Sequence, residues 1–401
     1  MILPSDQDAT GRSFDGAELE ALRQVLASGV LTSTRGTQVA ALQDAFAALH
    51  ERPTALACTS GSAAIHTAIA ALDPEPGDEI VTTPITDMGA LSPILYQGAV
   101  PVFADVDPRT LNVTAETLAA RIGPRTRALV VTHLFGNPCD LGPIVELARR
   151  QDLPILEDCA QAFLATWRDQ PVGTFGELAA FSLQQGKHIT CGEGGLLLVT
   201  PPELARRARL FVNKAWPYGE PTPDHEFLAL NYRMSELQGA VALAQLDGLT
   251  QGIEQRRAMA RRLDGRLADL EGIEPPRVSP QARHSYWRYA LRVDPELVPG
   301  GGRTLAAGLA RRGVAARHRY IDKPAFECRV FREQRTLGNS RFPFCHARPE
   351  ALDVAPERFP GVYRGLEEVV VLPWNERLGP EHVDFLADAI DAAWREARGA
   401  T

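Results

Sequence analysis

Between residues 55 and 200 the sequence alternates short apolar, β-rich runs with stretches long enough to be helices, and this alternation limits the fold more than any other feature. The runs fall at residues 79–83, 100–106, 128–133, 153–158, 179–183 and 196–200, and 142–150 is an example of an intervening helical stretch. Strands that are apolar throughout must be covered on both faces, and a connection of that length lets neighbouring strands run parallel. The expectation is an α/β domain built on a mostly parallel sheet.

Two helices precede this region. Asp15 followed by Glu18, then Leu19, Leu22 and Leu26 at helical spacing and Gly29 after them, describes a capped amphipathic helix. Val39, Leu42, Phe46 and Leu49 mark one face of a second. After Pro201-Pro202 the pattern is helical over 235–249 and 256–270, then strand-like over 286–293, helical over 303–312 and strand-like over 367–372. The expected division is a large domain over residues 1–251, including the N-terminal helical segment, and a smaller C-terminal α+β domain over 252–401. The proline- and aromatic-rich stretch 328–359 reads as a long surface excursion.

Charge and targeting signals narrow the function. The 42 basic residues are outnumbered by 50 acidic ones, which argues against a nucleic-acid backbone or an anionic membrane as partner. No apolar run approaches the length of a membrane span, and the first residues lack the basic and apolar regions of a signal peptide, so the expected location is cytoplasmic. None of the six cysteines stands in a C-x-x-C pair; reduced thiols and no metal site are expected.

The informative count is lysine, of which there are only three: Lys187, Lys214 and Lys323. Lys187 follows a strand and precedes a glycine-rich tract. A Walker A loop is excluded, since Phe181 stands where its first glycine would be and His188 where it needs Ser or Thr. Gly192-Glu-Gly-Gly195 is likewise no dinucleotide fingerprint. An amine in such a turn suits Schiff-base chemistry with pyridoxal 5'-phosphate (PLP). That cofactor also needs an anion cradle, an acid beside its ring nitrogen and hydrogen bonds to its phenolic oxygen. Thr59-Ser60-Gly61-Ser62 before an apolar helix offers the cradle. Asp158, at a strand's carboxyl end, offers the acid, and Gln161 follows one turn later. Each signal alone has an ordinary structural meaning: a helix cap, an ion pair, a solvated charge. Their conjunction and order are what point to PLP.

These residues lie in longer motifs. Thr59-Ser-Gly-Ser-Ala-Ala, Pro101-Val-Phe-Ala-Asp-Val-Asp107, Glu157-Asp-Cys-Ala-Gln-Ala162, the run from Phe181 to Gly195 and Asn231-Tyr-Arg-Met-Ser-Glu-Leu-Gln238 resemble the DegT/StrS-type sugar aminotransferases. The resemblance implies an aspartate aminotransferase-like, fold-type-I PLP enzyme, with a seven-stranded type of sheet in its large domain. It implies a homodimer with a shared active site, moving an amino group from glutamate or glutamine to a keto-sugar or keto-cyclitol in amino-sugar or secondary-metabolite biosynthesis. By position, Lys187 corresponds to the Schiff-base lysine, Asp158 to the partner of the pyridinium nitrogen, and Gly61, Ser62 and Ser182 to phosphate ligands. Asn231 would come from the neighbouring subunit. Some relatives are dehydratases with histidine in place of the lysine; Lys187 sets this chain apart from them, whereas His188 does not discriminate and reads as a packing residue.

One departure concerns Pro84-Ile-Thr-Asp-Met88, where many relatives place an aromatic residue against the cofactor ring. Either Met88 covers the ring or Asp87 binds a substrate hydroxyl. His318 and Tyr320 are candidate substrate contacts, and His284 reads as structural. An elimination or cyclisation on the same fold, or a non-catalytic regulatory homologue, are the alternatives to transamination.

Overall fold

In the computed structural model, which describes residues 1–399, the apolar runs form a seven-stranded sheet. The strands are, in chain order, β1 (Thr54–Cys58), β2 (Glu79–Thr82), β3 (Val100–Phe103), β4 (Thr126–Thr132) and β5 (Ile155–Asp158). After a hairpin of β6 (Thr166–Trp167) and β7 (Gln170–Pro171) come β8 (Leu178–Ser182) and β9 (Gly195–Val199). The spatial order is β1-β9-β8-β5-β4-β2-β3, all parallel except β9, which is antiparallel to both its neighbours.

Alternation of side chains along each strand builds two apolar layers. Val81, Leu129, Val131, Ala179 and Phe181 face one layer, and Ile80, Ala128, Val130, Leu178 and Ala180 the other. The N-terminal pair α1 (Gly16–Ser28) and α2 (Gln38–Leu49) forms where the sequence predicts, with Asp15 and Glu18 in a reciprocal cap and Gly29 ending α1 at φ 69°. The expected apolar face of α1 is not its buried one: Leu19 and Leu26 are exposed and Val25 and Glu18 are buried, and Leu49 of α2 is exposed as well. Val39, Leu42 and Phe46 of α2 pack on the first layer. The helix α3 (Gly61–Leu72) packs on the second; α4 (Met88–Tyr96) gives Leu91 and Leu95 to the first and Ala90 and Ile94 to the second; the short α5 (Ala115–Ala119) and α6 (Leu141–Gln151) pack on the first, and α7 (Pro202–Val212) on the second.

The two helical stretches expected over 235–249 and 256–270 are one helix, α8 (Glu236–Leu267). Gly248 and Gly252 weaken it by about 1 kcal/mol each. Leu249, Ile253, Arg256, Ala260, Leu263 and Leu267 nevertheless form one buried stripe at helical spacing, which carries the helix through. Residue 252, where the sequence places the domain division, therefore lies inside a helix.

Beyond α8 a four-stranded antiparallel sheet forms from β10 (Ile273–Glu274), β12 (Tyr289–Val293), β13 (Arg317–His318) and β14 (Val369–Leu372), in the order β10-β12-β14-β13. The intervening β11 (Ala282–Arg283) joins the β6–β7 hairpin instead. Helices α9 (Gly301–Arg311), α10 (Arg329–Arg332), α11 (Pro360–Glu368) and α12 (Pro380–Ala397) complete the chain. Leu305, Leu309, Leu386 and Ile390 of α9 and α12 meet Tyr289, Leu291, Val370 and Leu372 in a third apolar cluster.

The stretch 328–359 is not a surface excursion. Phe331, Phe344, Ala351 and Phe359 are buried in the first layer's cluster, and the Phe331 ring stands edge-on to Phe103 of β3, 5.2 Å away. Arg348 clamps the fully buried Glu79 with two 2.7 Å hydrogen bonds. A β3 edge left bare would offer unpaired backbone to another chain, and this segment covers it.

Candidate active site

Because β9 reverses direction, β1, β4, β5 and β8 all end on one side of the sheet, delivering Cys58, Thr132, Asp158 and Ser182 to it. Straight after β1, Ser60 caps α3 by accepting the Ala63 amide at 3.0 Å. The amides of Gly61 and Ser62, in the first turn, have no intrahelical partner, and the helix dipole favours an anion there. The approach is close: a Cβ on Gly61 would lie 2.7 Å from that of Ser182, and one on Gly195 would overlap the Ser60 carbonyl.

Asp158 is buried; its Oδ2 accepts from the Thr132 hydroxyl at 3.3 Å and its Oδ1 from the Ala160 amide at 3.1 Å. Burial pushes its pKa up, opposed by the Ala160 amide and by the charge of Lys187. Glu157, one residue earlier, faces the other way and accepts the amides of Gly173, Phe175 and Gly176 and the Nε2 proton of His133. His133 Nδ1 in turn accepts the Cys139 amide. Glu157 thereby organises the loop leading into β8 while Asp158 faces the cleft.

Lys187 is half-buried in the turn after β8. Its Nζ lies 4.4 Å from the centre of the Trp287 ring, and the indole nitrogen donates to the Gly186 carbonyl at 2.6 Å, seating the ring beneath the turn. Burial lowers the amine's pKa to about 8, with Asp158 opposing the shift and Arg288 adding to it.

The other candidates divide. Gln161 accepts the Phe135 amide at 2.7 Å and donates to the Tyr320 hydroxyl at 3.2 Å, which brings Tyr320 from the C-terminal sheet to the site. Burial pushes the Tyr320 pKa up to about 12, so it stays a neutral donor. Asp87 is exposed and caps α4 through the Gly89 amide, and its charge acts on both Lys187 and Tyr320. Met88 packs against the first apolar layer. His318 is not brought to the cluster: its Nε2 donates to the Glu367 carbonyl at 2.9 Å. Asn231 is exposed, and among the described residues its side chain accepts only the Arg233 amide, at 3.4 Å. His188 is buried and donates from Nε2 to the Ser285 carbonyl, and His284 stacks on Tyr286, so both are structural.

Sequence reasoning missed the N-terminal segment. The Pro4 carbonyl accepts from Asn375 at 2.7 Å, and the Asp6 carbonyl from Arg12 Nε and Gln185 Nε2 at 2.8 and 3.1 Å. Asp6 Oδ2 accepts from Arg288 Nη1 at 2.6 Å, and Arg12 Nη1 donates to the Lys187 carbonyl. No periodicity or motif marks Asp6, Arg12 or Arg288; the one local cue is Trp287, an indole beside an arginine at the start of a strand.

The residues fit PLP. Two free helix-start amides and the Ser182 hydroxyl suit a phosphate, the under-paired buried carboxylate of Asp158 suits a protonated ring nitrogen, and the Lys187 amine has a lowered pKa.

Comparison with known proteins agrees. GDP-perosamine synthase of Caulobacter vibrioides is 35% identical over 283 residues, covering 70% of this chain and 75% of the relative. L-glutamine:2-deoxy-scyllo-inosose aminotransferase of Micromonospora echinospora is 36% identical over 294 residues, covering 69% of each chain. The crystal structure of the aminotransferase TlmJ from Streptoalloteichus hindustanus superposes with a TM-score of 0.82 at 29% identity, covering 98% of both chains. The family model for DegT/DnrJ/EryC1/StrS aminotransferases matches residues 13–391, and the chain belongs to that family of PLP-dependent aminotransferases.

Proposed function

We propose that this enzyme transfers an amino group from glutamate or glutamine to a keto-sugar or keto-cyclitol, with Lys187 and Asp158 as its catalytic pair. The observation that carries the reading is the pairing, at the carboxyl ends of β5 and β8, of a buried carboxylate with an amine whose pKa is about 8. Bound PLP supplies an aldehyde that carries the amino group and a ring that draws electrons from the donor's Cα–H bond. Near neutrality a sizeable fraction of Lys187 is free amine, so it can take up and return a proton at the donor carbon. Asp158 keeps the ring nitrogen protonated. Gly61, Ser62 and Ser182 hold the phosphate, Gln161 orients the ring's polar edge, and Asp87 and Tyr320 face the acceptor's hydroxyls.

The acceptor class rests on the two relatives, named for perosamine synthesis and for a keto-cyclitol. With the division taken near 252, Lys187 and Asp158 come from the large part and Tyr320 from the small one, so the cleft lies between them. The reading includes a homodimer in which Asn231 reaches the partner's phosphate site; the exposed Tyr218, Leu228 (94% exposed) and Leu230 on the segment before it support such a contact. Among the described residues no helix is long and apolar enough to cross a membrane, and we place the enzyme in the cytoplasm.

The test is a spectrum. Yellow protein should bleach with glutamate or glutamine while a 2-oxoacid forms, and a panel of keto-cyclitols and nucleotide-linked keto-sugars should restore the colour. Protein that both donors leave yellow would overturn the proposal.

A further inference from the structure

Trp287, two residues before β12, touches the lysine turn twice. In the plane of its ring, Nε1 donates to the Gly186 carbonyl at 2.6 Å; over its face, Lys187 Nζ lies 4.4 Å from the ring centre. An indole combines an N–H in the ring plane with a strong π face, so one side chain can hold the carbonyl of one residue and the ammonium of the next. The ring is itself fixed. Trp287 is buried, its backbone amide donates to the Phe135 carbonyl at 2.8 Å, and its ring meets Tyr320 edge-on at 6.1 Å. Gln161 holds both of these neighbours, through the Phe135 amide and the Tyr320 hydroxyl.

The lysine needs such a hold once the donor has displaced it. Its amine takes the proton from the donor's Cα, becomes an ammonium, and returns that proton to the cofactor carbon that bore the aldehyde oxygen, leaving a free amine again. In that interval a side chain with four rotatable bonds must stay where the proton is. A carboxylate in direct contact would grip the ammonium and oppose release of the proton; a ring face attracts it more weakly. Burial is the largest influence on the amine, and Asp158, Asp87 and Asp6 act on it by charge, against Arg288. The Arg288 guanidinium carbon is also 4.4 Å from the Trp287 ring centre, and Arg12 holds the lysine's own carbonyl. His188 and Tyr320 are kept neutral by burial and add no charge.

We propose that Trp287 is a positioning residue for Lys187: its N–H fixes the backbone of the turn, and its ring face holds the ammonium while the lysine is detached from the cofactor. This rests on the aminotransferase reading and adds to it the place where the lysine carries its proton. Because the face favours the charged form, weakening it lowers the pH at which the amine becomes neutral.

The experiment reads that pH directly on the cofactor-free full-length chain, by trace labelling with acetic anhydride across a pH series and peptide mass spectrometry of Lys187. Trp287→Leu should lower the midpoint by about half a unit to one unit. Trp287→Phe, which keeps a ring face, should recover most of it. Both variants leave the Gly186 carbonyl without its donor, so well above the midpoint, where the amine is neutral in every protein, cofactor capture should slow several-fold in both. Fluorinated tryptophans placed at 287 alone keep the shape and the N–H but draw charge from the face. They should lower the midpoint stepwise with fluorine number and leave capture at high pH as in wild type, and they read the face if the leucine variant fails to fold. A midpoint indifferent to fluorination, or one that rises in Trp287→Leu, would overturn the proposal alone. Wild-type holoenzyme that neither glutamate nor glutamine bleaches would overturn the aminotransferase reading, and the proton-carrying role with it.

Discussion

Arg12 Nη1 donates a 2.7 Å hydrogen bond to the carbonyl oxygen of Lys187, linking residues 175 positions apart. The bond ties the N-terminal segment to the turn that presents the amine, and Arg12 is buried while it does so. Arg12→Met should therefore loosen the turn without removing any group that reacts. We expect a stability loss of about 2 kcal/mol, from the lost charged hydrogen bonds and the carbonyls left unpaired. Cofactor capture, followed as the yellow colour develops in apo protein, should slow. Wild-type capture rates with a lowered Tm would mean that Arg12 supports the fold and not the lysine.

Lys214 and Lys323 are exposed, whereas Lys187 sits in the cleft with its pKa lowered to about 8 by burial. Borohydride treatment of the holoenzyme should label Lys187 alone, by peptide mass spectrometry, and Lys187→Ala should abolish turnover. A label at either of the other lysines would displace the assignment.

The pH dependence follows from the neighbours of that amine. Only the neutral form attacks the cofactor aldehyde, so capture by apo protein should rise with pH through a midpoint near 8, well below that of a free lysine. Asp158 favours the charged ammonium and Arg288 disfavours it. Asp158→Asn should accordingly move the midpoint down and Arg288→Met should move it up. Asp158→Asn should also lose roughly 2 kcal/mol or more of transition-state stabilisation, since an amide does not keep the ring nitrogen protonated. Shifts of the opposite sign, measured by stopped-flow absorbance, would contradict this electrostatic account.

The covering of the sheet edge can be tested through Arg348. Removing it leaves the fully buried Glu79 carboxylate without its cation, and pairs broken this way lose about 3 kcal/mol. Arg348→Met should lower Tm by several degrees, and adding Glu79→Gln should return part of the loss. A Tm equal to wild type would show that water replaces the arginine at that edge.

Much of this was legible in the sequence because it is local. Ser60 capping α3, Asp158 ending β5 and Lys187 following β8 are each marked by neighbours within a few residues, and the motif order supplied the chemistry. The apolar runs gave the sheet because strands buried on both faces have few other solutions. What stayed hidden depends on contacts between distant segments. Asp6 and Arg288 are separated by 282 positions, and nothing near either forecasts the pair. The prolines and aromatics of 328–359 read as an irregular surface because their partners, Phe103 on the edge strand β3 and Glu79 on its neighbour β2, are more than two hundred positions away in the chain. His318 looked as useful as Tyr320 from two residues away; the backbone turns one to Glu367 and the other to Gln161.

The shared active site can be settled by complementation. Asn231 is exposed, beside the apolar side chains of the segment before it, and touches none of Gly61, Ser62 or Lys187 of its own chain through a hydrogen bond. If it serves the partner's phosphate site, a Lys187→Ala subunit and an Asn231→Asp subunit, each inactive alone, should make a heterodimer with one doubly defective site and one intact site. Statistical exchange makes about half the dimers mixed, so about a quarter of wild-type activity should return. If Asn231 serves its own subunit, every site in the mixture keeps one defect and no activity returns. Mass spectrometry of the mixture establishes that heterodimers have formed, and their inactivity would then rule out a site built from two chains.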